Sequence, residues 1–522
     1  MTNKIKVIDI FSGPGGLGEG FSAYQDASGN HPFKIAISIE KEESAHKTLK
    51  LRSFFRQFNN DAPKEYYDFL KGKLGAKPED ELYKNPKFAK QLKDAENEAL
   101  CLELGKDNRT INKSIEAALG NDECVLIGGP PCQAYSLAGR SRNKGIENYK
   151  AENDHRNFLY KEYLKIIAQF QPAVFVMENV KGMLSAKVNG HSIYEIIFND
   201  LHNPCRATNV KPKRGFAKHQ YKIVSLVTER EESRKLDPKE FIIKSERYGI
   251  PQRRHRVILL GIREDLSKNW KGELLNKHGS DVELSSVISD LPKLRSGLSK
   301  IENSDNNWIE TITEDSKSTI QSLLKCGLPD VAKEVRMSIK KMKVPEAKQG
   351  MNLGLTRNSE LKNKIFKDWY YDIRLGKYIC NHITRGHISQ DLQRYLFCSS
   401  WGAIATRNKW SNFSPKSKDY PNSLIPAHKN FKSGKFADRF RVQPWNIPAT
   451  TITSHISKDG HYYIHPDPHQ CRSLTVREAA RIQTFPDNYF FCGNRTQQYV
   501  QVGNAVPPIL AHQIAMTLAA RL

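Results

Sequence analysis

The chain has no apolar run long enough to serve as a signal peptide or to span a bilayer, which points away from secreted and membrane proteins and toward the cytoplasm. Its nine cysteines, at 101, 124, 132, 205, 326, 380, 398, 471 and 492, include no CxxC pair and no Cys/His group at zinc-ligand spacing. Neither a disulfide framework nor a metal site is therefore expected, and the thiols are read as reduced. Acidic residues are the scarcer charge, 57 against 81 Lys and Arg, for a net charge of +24. That balance suits a protein that neutralises a phosphate backbone, although a basic surface can also serve solubility alone.

At 522 residues the chain is too long for one compact core, so at least two domains are expected. Short apolar runs at Lys6 to Phe11, Lys34 to Ile39, Cys124 to Ile127 and Ala173 to Met177 each precede a plausible helix. Strands alternating with helices predict an α/β, doubly wound, Rossmann-like sheet whose ligands sit past the carboxyl ends of the strands. All four runs end in residues able to do chemistry. The Lys- and Glu-rich stretch 62–112 reads as a helical insertion. From about 266 to 469 the alternation gives way to a polar, basic region with isolated aromatics, a second and irregular domain. The helical pattern returns in LTVREAARIQTFP and in the last residues, so residues 1–265 and 470–522 are assigned to the first domain.

The loop FSGPGGLG, Phe11 to Gly18, has the glycines that let a backbone turn sharply beside a ligand, but not the GK[ST] ending of a phosphate-gripping loop. Glu40, at the tip of the second strand, is placed to accept from the two hydroxyls of a ribose. Each alone is weak; together they favour an adenosine-bearing cofactor. Cys132 follows two prolines just past the third strand, whereas core cysteines sit inside apolar runs. Arg140, Arg142, Arg254 and Arg256 are candidate cations to make its thiol a nucleophile. Glu178 and Asn179 end the fourth strand. A carboxyl group at the end of a buried strand can hold a proton near neutral pH and act as a general acid, while the bland reading is a turn cap. In QRRHR, Arg254 and Arg256 are expected to share one strand face and to aim guanidinium groups at a carbonyl or a phosphate.

In order, FSGPGGLG, PPCQ, ENV, QRRHR, REAARIQTFP and QVGNAVPP resemble the sequence blocks of the DNA cytosine-5 methyltransferases. The resemblance implies a mixed-sheet domain that binds S-adenosylmethionine, with Phe11, Gly13, Gly15, Gly16, Leu17, Glu40, Asp61, Pro131 and Asn504 about the cofactor. Gly503 and Asn504 would close the site back onto the first strand. It implies Cys132 as the nucleophile toward cytosine, with Glu178, Arg254 and Arg256 beside it. Gln133, Ser136, Arg140 and Arg142 are similar to the family's mobile loop that closes on DNA. Thr450 and Thr451 fit the loop that ends its target-recognition domain, here 266–469. A base inside a duplex is out of reach of a thiol, so base flipping is implied as well.

Three alternatives compete with this reading. A tRNA methyltransferase on the same scaffold would carry a Cys-Phe-Thr signature, absent here; a catalytically dead relative would not keep Cys132, Glu178, Arg254 and Arg256; a Rossmann oxidoreductase leaves PPCQ and ENV unexplained. With no zinc or chromatin-reading module in view, a bacterial restriction-modification methylase is expected, acting as a monomer on double-stranded DNA beside a cognate endonuclease.

Overall fold

The structure is a computed structural model that describes residues 4–59, 61–75, 77–131, 159–188, 190–213, 215–229, 237–270, 274–314, 316–426 and 439–520. The chain divides into two compact units. Met1–Asp61, Pro86–Ser280 and Ala505–Leu522 form the first; Ala62–Asn85 and Asp281–Asn504 form the second.

The first unit is built on strands β1 (Ile5–Ile10), β2 (Phe33–Glu40), β3 (Ala99–Cys101), β4 (Cys124–Gly128), β5 (Val174–Val180), β6 (Tyr221–Val224), β7 (Ile242–Lys244) and β8 (His255–Arg263). Their order is β3-β2-β1-β4-β5-β8-β6, with β7 also paired to β8. The five strands from β3 to β5 are parallel, and β8 runs antiparallel to β5, β6 and β7. The sheet is therefore mixed, as expected.

Both faces are covered, because the strands are apolar at odd and even positions alike. Val7, Val125, Ile127 and Val176 lie in one core cluster, while Ile8, Leu126, Phe175 and Met177 lie in the other. Helix α1 (Gly16–Ala23) and helix α7 (Pro508–Ala519) cover the first face. The second is covered by α4 (Asn108–Leu119), α5 (Leu159–Phe170) and α6 (Ile193–His202). Helix α4 shows why: Ile111, Ile115 and Leu119 repeat every fourth residue and are its buried residues. Helices α2 (Glu43–Arg56) and α3 (Ala89–Glu98) pack together at the β2 and β3 side of the sheet.

The boundaries differ from the sequence reading in two places. The stretch 62–112 is not one insertion, since α3, β3 and the start of α4 belong to the sheet unit. Only 62–85 leaves it. Tyr66, Tyr67, Phe69 and Leu70 need apolar cover, and they find it in the second unit: the Tyr66 hydroxyl donates to the Asn488 carbonyl at 3.1 Å, and Phe69 packs edge-on to Phe490 at 5.3 Å. Residues 470–504 also fall in the second unit. Their buried arginines find their carboxylates there, with Arg481 bound to Asp290 at 2.6 Å and Arg472 to Glu478 at 2.6 Å.

The second unit is less irregular than expected. Helix Ser389–Arg407 packs against Asp305–Thr313 and Pro329–Lys340 around Trp308, Leu323, Tyr395, Phe397 and Trp401. Its strands are short two-stranded pieces.

Close packing of α1 on α7 depends on glycine. A Cβ at Gly20 would stand 2.4 Å from the Pro508 carbonyl oxygen and from the Ala511 Cβ. Gly20→Ala should therefore lower stability by about 1–3 kcal/mol, as overpacking does. Thermal unfolding checks this; an unshifted midpoint would contradict the packing account.

Candidate active site

Strand register sets the site. Ile10 pairs with Ile39 and with Gly128, and Gly128 pairs with Met177. Phe11, Glu40, Gly129 and Glu178, each one residue further on, therefore form a row along the carboxyl ends of β1, β2, β4 and β5. Cys101, paired with Glu40, extends the row to β3.

At one end of this row the glycine loop is tied to Glu40. Phe11 (φ 53), Gly13 (φ 56) and Gly15 (φ 93) are all left-handed, a conformation that glycine adopts without strain and Phe11 does not. The Ser12 hydroxyl braces the turn by donating to the Asp9 and Ile39 carbonyls at 2.8 and 3.2 Å. The Gly13 amide donates to Glu40 Oε2 at 2.8 Å and the Glu42 amide to Oε1 at 2.7 Å. Burial nonetheless raises the Glu40 carboxyl above its usual range, against these amides. Gly16 has no room for a side chain, since a Cβ would meet the Val506 carbonyl oxygen at 2.3 Å. Leu17 is buried with its side chain in the core beneath α1.

The other end holds the ionic pair. Glu178 Oε1 accepts from Arg256 Nε at 2.9 Å, with both side chains mostly buried. Arg256 reaches it because β8 runs antiparallel to β5, which sets Arg256 opposite Val180. A Cβ on Gly129 would come within 3.0 Å of Glu178 Oε2, so glycine at this position lets the carboxylate lie against the segment that leads to Pro130 and Pro131. Asn179, buried, holds that segment: its Nδ2 donates to the Pro130 carbonyl in a long hydrogen bond of 3.5 Å, while its Oδ1 accepts from the Val180 amide. Asn179 was noted in the sequence only as the neighbour of Glu178. An acceptor and a forked donor fixed side by side can grip the edge of a planar, amide-like ring.

Other expected residues fall differently. Arg254 does not share a strand face with Arg256. It lies in the gap between the short strand Gln252–Arg253 and β8, is 1% exposed, and its carbonyl accepts from Ser245. Asp61 is not at a strand end; it is exposed past α2, and its amide donates to the Phe58 carbonyl. The third strand comes only at Ala99–Cys101 and is followed by Leu102 and Glu103, with Glu103 Oε1 3.2 Å from Lys41 Nζ. Pro131 is half-buried. Cys132, Gln133, Ser136, Arg140 and Arg142 lie outside the described residues. In the second unit, Asn504 is the exposed last residue of a helix, the Thr450 amide and hydroxyl both donate to Gln443 Oε1, and the Thr451 carbonyl accepts from the Tyr463 hydroxyl.

One residue of β1 was missed. Asp9 is 1% exposed, and neither carboxylate oxygen meets a donor in good hydrogen-bond geometry among the described residues; the nearby Ser12 hydroxyl is turned to carbonyls, and Ser12 and the Gly18 amide only partly offset the burial of the carboxyl. Burial pushes its carboxyl up to about 7, partly offset by the positive charge of Arg56. The signal was a lone acid inside the apolar run KVIDIF.

The chain matches the family described as C-5 cytosine-specific DNA methylase over residues 98–203 and 214–520. It is 33% identical over 529 residues to the type II methyltransferase M.Bpa9945I of Bacillus paralicheniformis, covering 98% of this chain and 97% of that protein. It is 25% identical over 435 residues to the DNA (cytosine-5-)-methyltransferase M.ApeKI of Aeropyrum pernix, covering 77% of this chain and 82% of that one. Among solved structures, a DNA modification methyltransferase encoded within a prophage of E. coli matches with a TM-score of 0.48 at 17% identity, covering 99% of both chains.

Asp9 carries a prediction about pH. Its folded-state value lies above the ordinary 3.8, so its contribution to stability is full below about 4 and is lost as pH rises toward about 7. Asp9→Asn, nearly isosteric and always neutral, should raise the unfolding midpoint relative to the parent at pH 8 and leave it nearly unchanged at pH 4. Equal midpoints for parent and variant at pH 8 would show that Asp9 is not held as a strained carboxylate.

Proposed function

Because the chain belongs to the C-5 cytosine-specific DNA methylase family, we propose that it moves a methyl group from S-adenosylmethionine to carbon 5 of a cytosine turned out of double-stranded DNA, through a covalent adduct with Cys132. The observation that carries this reading is the Glu178–Arg256 pair, with Glu178 Oε2 beside Gly129, which precedes Cys132 by three residues in the sequence.

The cofactor end supports it. The tight left-handed loop offers backbone without side chains in the way, and Glu40 keeps lone pairs for two ribose hydroxyls after accepting from Gly13 and Glu42. S-adenosylmethionine supplies a sulfonium methyl, an electrophile that carbon 5 of an intact cytosine is too weak to attack. The Cys132 thiolate adds to carbon 6 and breaks the aromaticity. Glu178 hydrogen-bonds ring nitrogen 3 and the exocyclic amino group as charge develops there, and Arg256 both orients Glu178 and holds the ring carbonyl oxygen. Once carbon 5 has been methylated, loss of its proton and expulsion of the thiolate restore the ring.

The second unit, with Thr450 and Thr451, is read as the part that recognises bases, and the loop with Gln133, Ser136, Arg140 and Arg142 as the part that closes over the phosphates. The type II relatives favour a role in restriction-modification, with the chain acting as a cytoplasmic monomer alongside an endonuclease of the same specificity.

Labelled methyl transfer to duplex DNA, with tRNA in parallel and bisulfite mapping of the product, tests the reading. Label in DNA at cytosines of one short motif is expected; label in tRNA alone would refute it. Cys132→Ser should lower turnover by at least about 10³-fold with DNA binding retained. Glu178→Gln should slow transfer by roughly 10²–10³-fold, the usual loss when one such donor or acceptor is removed.

A further inference from the structure

The second unit contains a cavity of about 310 Å³ whose walls include Arg385, Lys458, Arg495, Asp391, His461 and Tyr499. Among the described residues no ion pair joins Arg385, Lys458 or Arg495 to a carboxylate. The one acid in the wall, Asp391, is already used: its Oδ1 accepts from Arg394 at 2.9 Å, and its Oδ2 lies 3.9 Å from His461 Nε2. The Arg385 guanidinium is pinned rather than free to turn away. It lies over the Tyr499 ring at 4.4 Å, and its Nη2 donates to the Ile456 carbonyl at 2.7 Å, while its buried Nε has no acceptor. Arg495 is held by the Thr384 carbonyl, and burial together with the charge of Arg385 lowers its guanidinium from the ordinary value. Two guanidinium groups are thus fixed close enough to repel.

Two helices add to the positive field. Ser389–Arg407 begins at Ile388 without a side-chain cap, and Arg495–Asn504 places Arg495, Thr496 and Tyr499 in the wall, so both helices present their first turns to the cavity. The floor is a neutral, hydrogen-bonded set, with the Tyr395 hydroxyl 2.7 Å from His461 Nδ1 and 3.4 Å from His387 Nδ1. Three cations and two helix starts around one cavity, with the nearest acid already paired, describe a place for an anion with several acceptor oxygens.

We propose that this cavity is a phosphate subsite that takes a backbone phosphodiester of DNA. With a net charge of +24, the chain as a whole favours nucleic acid over a small anion. As a DNA contact the subsite rests on the function proposed above; as a phosphate site it does not. Because Arg385 and Arg495 are prepositioned by stacking and backbone bonds, they fix a position on the backbone and read no sequence.

The test uses the full chain and Lys458→Ala, Arg495→Gln and, as a control for loss of one positive charge elsewhere in the unit, the exposed Lys333→Ala. Affinity for a duplex of about 30 base pairs is measured between roughly 50 and 200 mM salt. Each cavity variant should lower the slope of log Kd against log salt by about 1, with no such change for Lys333→Ala. In parallel, inorganic phosphate and deoxyadenosine 5′-monophosphate are titrated against thermal unfolding. Stabilisation of the parent but not of the cavity variants, with all slopes unchanged, would keep a phosphate subsite but give it to a free nucleotide, overturning the DNA assignment. Unchanged slopes with no stabilisation, or equal slope changes in all three variants, would overturn the subsite altogether. Methyl transfer by the parent is scored separately, so a chain that binds as expected but transfers nothing would count against the proposed function and not against the subsite.

Discussion

The register of the parallel sheet is the constraint on which the active site depends. Strands β1, β2, β4 and β5 are apolar on both faces and so are buried on both, which forces most of their polar chemistry to the ends. Pairing of Ile10 with Ile39 and Gly128, and of Gly128 with Met177, then brings Phe11, Glu40, Gly129 and Glu178 level without any direct contact between the two ends of the row. A slip of one residue in any strand would reverse which side chains face which helices. The ends of the row are fixed locally: backbone amides hold Glu40, and a guanidinium from the antiparallel strand β8 holds Glu178.

Around this frame, several buried charges among the described residues are answered by a partner. Arg52 of α2 forks onto Glu19 of α1, both almost fully buried, and Arg56 pairs with Glu98 of α3. These pairs tie α1, α2 and α3 together just behind the glycine loop. Asp9 departs from this pattern, a buried carboxyl in the strand that feeds the loop with no carboxylate oxygen in good hydrogen-bond geometry among the described residues. The second unit shows the same pattern: Arg472, Arg477 and Arg481, all essentially inaccessible, are met by Glu478, by the carbonyls of Cys380 and Tyr489, and by Asp290 and Asp487.

Much of the first unit was legible because its signals are local. An apolar run followed by a glycine turn, or by a single acid, reads as a strand end without knowledge of its neighbours, and the positions of Glu40 and Glu178 near the ends of β2 and β5 are legible that way. The third strand was not legible. It has three residues, Ala99–Cys101, and follows a long helical stretch, so no periodicity marks it. The separation of Arg254 from Arg256 was hidden because period-two reading assumes an unbroken strand, and pairing stops between Arg253 and His255. REAARIQTFP reads correctly as a helix, but its unit was decided by which carboxylates its arginines reach, and that is a tertiary fact. The cavity about Arg385 and Arg495 joins residues over a hundred positions apart, beyond any motif.

The central claim is that the nucleophile for cytosine is the thiol of Cys132, next in sequence to Pro131. Duplex DNA with 5-fluorocytosine in place of cytosine tests it most directly, because fluorine cannot leave as the carbon 5 proton does and an adduct formed during transfer is trapped. With S-adenosylmethionine present, the account predicts a covalent protein–DNA species whose peptide map places the bond on Cys132. A trapped bond on another residue, or methyl transfer to ordinary duplex DNA with no trapping on the fluorinated duplex, would contradict it.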